Sequence, residues 1–255
     1  MDLEARDVTH RYGDLLVLDG VSLRVLSGEI VAVIGPSGCG KSTLLRILGG
    51  LETPSAGAVL ARGAPPQGSL NPLTYVFQDF ALLPWRTVAG NVALPLEDHG
   101  LSRAERRAIV AQALARTGMS EFADAYPRQL SGGMRQRVGI ARALAVKPAV
   151  LLMDEPLSAL DAQTRELLMD DLAGLWLRER FTAVYVTHNL AEAVRLAHRV
   201  VVLSRRPGRV RKAVDIPIPI EARRPGAAGL ERLASELWGL LRDEAAVADR
   251  ELAHA

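Results

Sequence analysis

Little in this chain suits it to covalent cross-linking or to crossing a bilayer. It has a single cysteine, Cys39, among 255 residues, which excludes an intrachain disulfide and fits a reducing compartment. Apolar runs such as Ile30 to Ile34 and residues 150–153 fall far short of the roughly 18 residues a membrane helix needs. The excess of one charge over the other is small as well: the formal net charge of +2 does not point to nucleic acid. The opening residues, Met1-Asp-Leu-Glu-Ala-Arg6, mix charges with no apolar stretch behind them, so no secretory signal is expected. Internal repeats and low-complexity tracts are absent. What remains is an ordinary folded balance, 49% hydrophobic and 24% charged, long enough for one large domain or a core with an insertion. Any work at a membrane would be done as a peripheral guest.

Apolar, β-branched runs at Ile30–Ile34, 149–153, 182–187 and 200–203 read as buried parallel strands. The first three each lead into a polar turn and then a helix-like segment, the place where open parallel sheets carry their ligands. The stretch up to about Ser27 and the segment near residues 58–62, flanked by Gly57 and Gly63, alternate more and carry glycine, which predicts an antiparallel β portion. Helical spacing takes over between Val88 and Val146, including 105–114 and 136–144, and reads as a helical insertion. Pro217 and Pro219 allow residues 215–220 at best an extended edge. Arg223-Arg-Pro-Gly226 reads as a hinge into a tail, where Leu230, Leu233, Leu237, Leu240 and Leu241 fall on one helical stripe. That stripe fits docking on the chain's own domain better than a partner contact.

The chemistry begins at Gly35, Pro36, Ser37, Gly38, Cys39, Gly40, Lys41, Ser42 and Thr43. These form the pattern G-x-x-x-x-G-K-S/T between a strand and a helix, so the residues read as a nucleotide phosphate-binding loop, which alone does not choose among kinases, GTPases and motor ATPases. Glycines let the backbone turn successive N–H groups toward phosphate oxygens, and the following helix adds its dipole. Lys41 reaches the β- and γ-phosphates and the Ser42 hydroxyl is placed to ligate Mg²⁺. A Gly-rich structural turn is the bland alternative, and the strand-then-helix context argues against it.

A second constellation, Val150-Leu-Leu-Met-Asp154-Glu155-Pro156, delivers two carboxylates to a strand end. Asp154 suits the Mg²⁺ shell and Glu155 suits a water-orienting base. Alone, Asp-Glu-Pro is more often a solvated turn; after a phosphate loop it reads as functional. No guanine-reading Asn-Lys-x-Asp or Thr-Lys-x-Asp motif is present, which argues against a GTPase. A third stretch, Leu130-Ser131-Gly132-Gly133-Met-Arg-Gln-Arg137, is a Ser-Gly-Gly cap opening a helix, a second anion site in the same chain.

This last stretch, upstream of Asp154, resembles the signature of ABC ATPases, and the motif set resembles that family over roughly residues 1–220. The resemblance implies a P-loop NTPase α/β core with an antiparallel β subdomain and an inserted helical subdomain at about 88–146. Residues 1–222 would be the ATPase domain and 223–255 a C-terminal helical tail. It also implies a head-to-tail homodimer in which each ATP lies between one chain's loop and the other's Ser131, Gly132 and Gly133. Gln78 corresponds to the loop glutamine that touches Mg²⁺ and reports to the transmembrane partner. Asp161, in Ser158-Ala-Leu-Asp161, lies in the loop that works across the dimer, and His188 contacts the γ-phosphate and steadies Glu155. Tyr12 resembles the aromatic that stacks on adenine, with buried packing as its rival. Catalytic roles thus fall to Lys41, Glu155 and His188, and metal ligation to Ser42, Gln78 and Asp154.

Two departures stand out. Asn189 and His198 occupy places where the family commonly has aspartate, which puts local ion pairs in doubt but leaves the hydrolytic set intact. Cys39 sits at a spacer position and reads as a small filler. Leu82-Leu-Pro-Trp-Arg-Thr-Val-Ala-Gly-Asn-Val92 and Ser204-Arg-Arg-Pro-Gly-Arg-Val210 resemble importers of nitrate, taurine and alkanesulfonates. This implies permease subunits, a solute-binding protein and a place on the cytoplasmic face of the inner membrane. A soluble cluster-assembly ATPase and a non-hydrolysing nucleotide sensor are the rival classes. Intact Lys41, Asp154, Glu155 and His188 argue against the sensor.

Overall fold

The structure, a computed structural model, describes residues 1–252, with side chains in the last helix described through Arg242 and at Glu244. The chain opens with β1 (Asp2–Tyr12), β2 (Leu15–Val25), β3 (Ile30–Ile34), α1 (Lys41–Leu48), β4 (Ala56–Arg62) and β5 (Leu73–Val76). Helices α2 (Val88–Ala93), α3 (Arg103–Arg116) and α4 (Gly132–Ala145) follow, then β6 (Val150–Asp154) and α5 (Ala162–Glu179). The last elements are β7 (Thr182–Val186), α6 (Leu190–Leu196), β8 (Arg199–Leu203), β9 (Val210–Asp215) and α7 (Ala228–Leu252). Contacts divide these into two compact units, one of Met1–Gly63 with Arg180–Ala255 and one of Ala64–Glu179.

In the first unit β2, β1 and β4 form an antiparallel sheet in that order. It accounts for the alternating, glycine-bearing stretches of the sequence. Gly57 lies where an added Cβ would sit 2.4 Å from the Asp7 carbonyl oxygen, so β4 approaches β1 where only glycine fits. Strand β3 pairs in parallel with β7 on one side and β8 on the other, and all five residues of both β3 and β7 are buried. Strands covered on both faces need continuous Val and Ile rather than alternation, which these have. β9 closes the edge antiparallel to β8. The expected edge at 215–220 is displaced: the strand ends at Asp215, because Pro217 and Pro219 supply no N–H to a ladder.

The expected hinge at Arg223–Gly226 is likewise corrected at its first residue. Arg223 is 3% exposed, and its guanidinium donates to the carbonyls of Ile218, Val194, Arg195 and Ala197. Three of those close the C-terminal end of α6, where a cation also opposes the helix dipole. Helix α7 then packs on α6 and β8, with Leu230 and Leu237 buried. The last three residues of the expected tail lie outside the described residues.

In the second unit β5 and β6 pair in parallel. Helices α2, α3 and α4 share an aliphatic core that includes Val88, Val92, Val110, Leu114 and Val138. The helix starts are specified locally. Thr87 caps α2 by accepting from Gly90 N, and Ser102 with Glu105 forms a reciprocal capping box on α3.

Candidate active site

In the first unit the phosphate-loop segment runs from the end of β3 into α1. Gly38 and Gly40 take φ of +74° and +101°, values at which a side chain would be strained. Lys41 is 7% exposed, and its ammonium donates to the carbonyls of Gly35 (2.9 Å) and Pro36 (3.1 Å). Cys39 is buried, and burial raises its thiol pKa, which fits a small filler at a spacer position.

Tyr12 is 45% exposed yet held in place. Its hydroxyl donates to Glu52 Oε2 (2.5 Å), and its ring meets His10 edge-on at 4.8 Å. Glu52 also pairs with Arg46 of α1 and lies 3.5 Å from His10 Nε2, so one carboxylate ties the aromatic to the helix that follows the loop. His188 is exposed at the turn between β7 and α6. Its neighbours fix that turn: Thr187 donates to buried Glu192, and Asn189 accepts from the N–H groups of Ala191 and Glu192. Asn189 thus caps α6 without the negative charge that aspartate would bring.

In the second unit β6 ends at Asp154, and Tyr75 of the neighbouring β5 donates to Asp154 Oδ2 at 3.0 Å. Glu155, the next residue, sits at φ +43°. The Ser158 hydroxyl donates to the Glu155 carbonyl and accepts from Gln78 Nε2, so Gln78 reaches the backbone of Glu155 through one side chain. Asp161 accepts from Thr164 N at the start of α5, and that backbone hydrogen bond lowers its pKa. Ser131 caps α4 by accepting from Met134 N. A Cβ on Gly133 would lie 2.9 Å from Thr164 and on Gly132 3.2 Å from Leu160, so the glycines let α4 lie close to α5 and the loop before it.

Sequence reasoning missed several supporting residues. Arg142 of α4 donates to the carbonyls of Phe80 and Ala81 (2.9 Å to the latter), just beyond Gln78, and Phe80 packs on Gly139. Tyr75 and Glu52 were also unread. None belongs to a motif, because each acts on a residue far away in the chain.

A family model described as "ABC transporter" matches residues 18–158, more than half of the chain. The chain belongs to the ABC transporter family as an ATP-binding subunit. Similar to this ABC ATPase is an aliphatic sulfonates import ATP-binding protein of Mesorhizobium japonicum, 47% identical over 230 residues, covering 89% of this chain and 84% of the relative. The Ralstonia nicotianae protein of the same description is 48% identical over 223 residues, covering 87% and 76%. An uncharacterized ABC transporter ATP-binding protein of Methanocaldococcus jannaschii is 46% identical over 227 residues, covering 89% and 85%.

Among solved structures, the dimeric form of a bacterial ABC transporter cassette superposes with a TM-score of 0.72 at 35% identity. It covers 85% of this chain and 99% of the cassette. The post-hydrolysis state of such a cassette, bound to ADP and phosphate, gives 0.71 at 34%, with the same coverage. The α/β fold class is therefore that of the ABC cassettes, and the activity is ATP hydrolysis. Among the described residues no helix of this ABC ATPase is long and apolar enough to cross a membrane.

Proposed function

We propose that this ABC ATPase powers the import of small sulfonate-type solutes, acting as a head-to-tail dimer on the cytoplasmic side of a membrane permease that is served by a solute-binding protein. The observation that carries the substrate class is the 46–48% identity to aliphatic sulfonate import subunits over about nine-tenths of the chain. Trp85, 72% exposed in the second unit, suits it to docking on a permease.

In this reading residues 35–43 hold the ATP phosphates, with Lys41 as the main β/γ cation and Tyr12 against the adenine. Ser131, Gly132, Gly133 and Asp161 serve the nucleotide of the second copy, where the α4 N-terminus offers backbone N–H groups to an anion. Glu155 accepts a proton from the attacking water while His188 steadies it and the γ-phosphate. Ser42, Gln78 and Asp154 supply hydroxyl, amide and carboxylate oxygens, the hard donors that Mg²⁺ prefers. One hydrogen bond fits that use: Gln78 donates through its amide nitrogen to Ser158, which leaves the donor role toward a cation to its carbonyl oxygen. Held there with ATP, Mg²⁺ would supply charge neutralisation for the phosphates.

The test is reconstitution with a sulfonate-type permease and solute-binding protein from the same genome. ATP-dependent uptake of a short alkanesulfonate, competed by taurine but not by an amino acid, is the expected result. Uptake only of an unrelated solute would overturn the substrate class, and co-purification with soluble partners alone would overturn the transport role.

A further inference from the structure

We propose that the connection between β8 and β9 is a backstop for the phosphate loop, and that Gly208 within it is a positioning residue for ATP. The inference rests on the reading of residues 35–43 as the ATP loop. After β8 the chain turns through Ser204–Arg209, and this turn is fixed from within. The Ser204 hydroxyl lies within hydrogen-bond distance of the Arg205 and Pro207 carbonyls and accepts from Arg209 N. It is also fixed from outside. Gly208 donates to Val17 O (2.8 Å), its carbonyl accepts from Asp19 N (3.0 Å), and Arg209 pairs with the Asp19 carboxylate.

At that position a Cβ would land 2.2 Å from the Cys39 carbonyl oxygen, deep inside any allowed contact. Gly208 does not lie in the left-handed region, so its glycine is required for space and not for backbone conformation. The atom it meets is decisive. A trans peptide is planar, so a Cys39 carbonyl facing Gly208 obliges the Gly40 N–H to face the opposite way. Backing the carbonyl therefore aims the amide. Two further contacts back the loop: a Cβ on Gly40 would meet Leu18 at 2.7 Å, and one on Gly35 would meet Leu203 O at 3.0 Å. The loop is thus held at three points from behind, and its N–H groups are aimed before nucleotide arrives. Preorganised donors of this kind cost no reorganisation on binding.

The experiment measures ADP and ATP affinity on the full chain by calorimetry, under conditions where circular dichroism shows each variant folded, alongside urea unfolding without nucleotide. Gly208→Ala should weaken nucleotide binding by about tenfold or more, with kcat at saturating ATP changed less than KM. Ser204→Ala removes the internal staple without adding an atom, should fold readily, and should weaken binding about threefold to tenfold. A merely structural role would lower the unfolding midpoint and leave the affinity of the folded protein unchanged. Affinities within twofold of the parent for the folded variants, or for Ser204→Ala alone if Gly208→Ala does not fold, would overturn the backstop. Lys41→Ala is measured in parallel: if it too binds normally, the loop assignment itself fails. If only Lys41→Ala loses binding, the backstop alone is wrong.

Discussion

Glu155, the proposed base, is held in its backbone conformation at a local cost. A φ of +43° is uncommon outside glycine and asparagine and costs on the order of 1 kcal/mol. The Ser158 N–H and hydroxyl both donate to its carbonyl and help hold it there. Glu155→Gln keeps the backbone and shape while removing the proton acceptor. Nucleotide binding should persist while steady-state phosphate release falls by about 10²-fold or more, the scale of general-base catalysis; near-parental turnover would refute the assignment.

His198 is a second residue with a readable consequence. Its Nδ1 accepts from Ile30 N at 3.0 Å, joining the start of β3 to the start of β8. Burial, and then the Arg223 guanidinium, hold its pKa below the usual 6.5. The unfolded chain therefore takes up this proton first as pH falls. Stability from this site is fully present above pH 6.5 and is lost as pH drops toward the folded value. Urea unfolding of the parent should weaken on acidification through that window more steeply than that of His198→Asn, whose side-chain oxygen can still accept from Ile30. Identical pH slopes would remove His198 from the account.

At the scale of elements, α4 does two jobs. Its N-terminus carries the Ser131 cap, and eleven residues later Arg142 grips the backbone just past Gln78. Arg142 is partly buried, and its fork spans two carbonyls that a lysine ammonium cannot match. Arg142→Lys should leave ATP affinity within about twofold of the parent while permease-stimulated turnover falls by about threefold to thirtyfold, the size of couplings carried by such networks. Full stimulation would show that α4 does not hold the Gln78 segment for that purpose.

Elements also mark where the sequence stopped being legible. The phosphate loop, the Asp154 strand end and the α4 cap are contiguous runs whose spacing carries their chemistry. β9 was not legible, because Arg211 and Lys212 face solvent on an edge and blur the alternation. Nor was Arg223, which reads as polar hinge chemistry until four carbonyls converge on it. Gly208 opposite Cys39, Arg142 on Phe80 and Gln78 on Ser158 join residues far apart in sequence, and no local pattern encodes such pairs.

For the whole molecule, the head-to-tail dimer predicts complementation between two dead proteins. A Lys41→Ala chain and a Ser131→Arg chain each form homodimers with two defective sites. In the mixed dimer one site collects both lesions and the other has neither. Photo-crosslinked ATP should appear on the Ser131→Arg chain only after mixing in the presence of the permease, and no gain at saturating ATP would count against the arrangement.

Strand β3 lies between β7 and β8, and this fixes an order of events during synthesis. Both partners are made after the whole of the second unit, so about 170 residues must be translated between Ile34 and Leu203. At the usual ~5–20 residues per second, the nascent chain carries five consecutive residues that are buried in the finished fold without their native neighbours for roughly ten to thirty seconds. The strand that presents the phosphate loop thus waits for both neighbours while the whole second unit is made. Codon choice and chaperone supply over residues 64–203, more than the strength of the finished fold, should therefore govern how much of this protein matures in a foreign host.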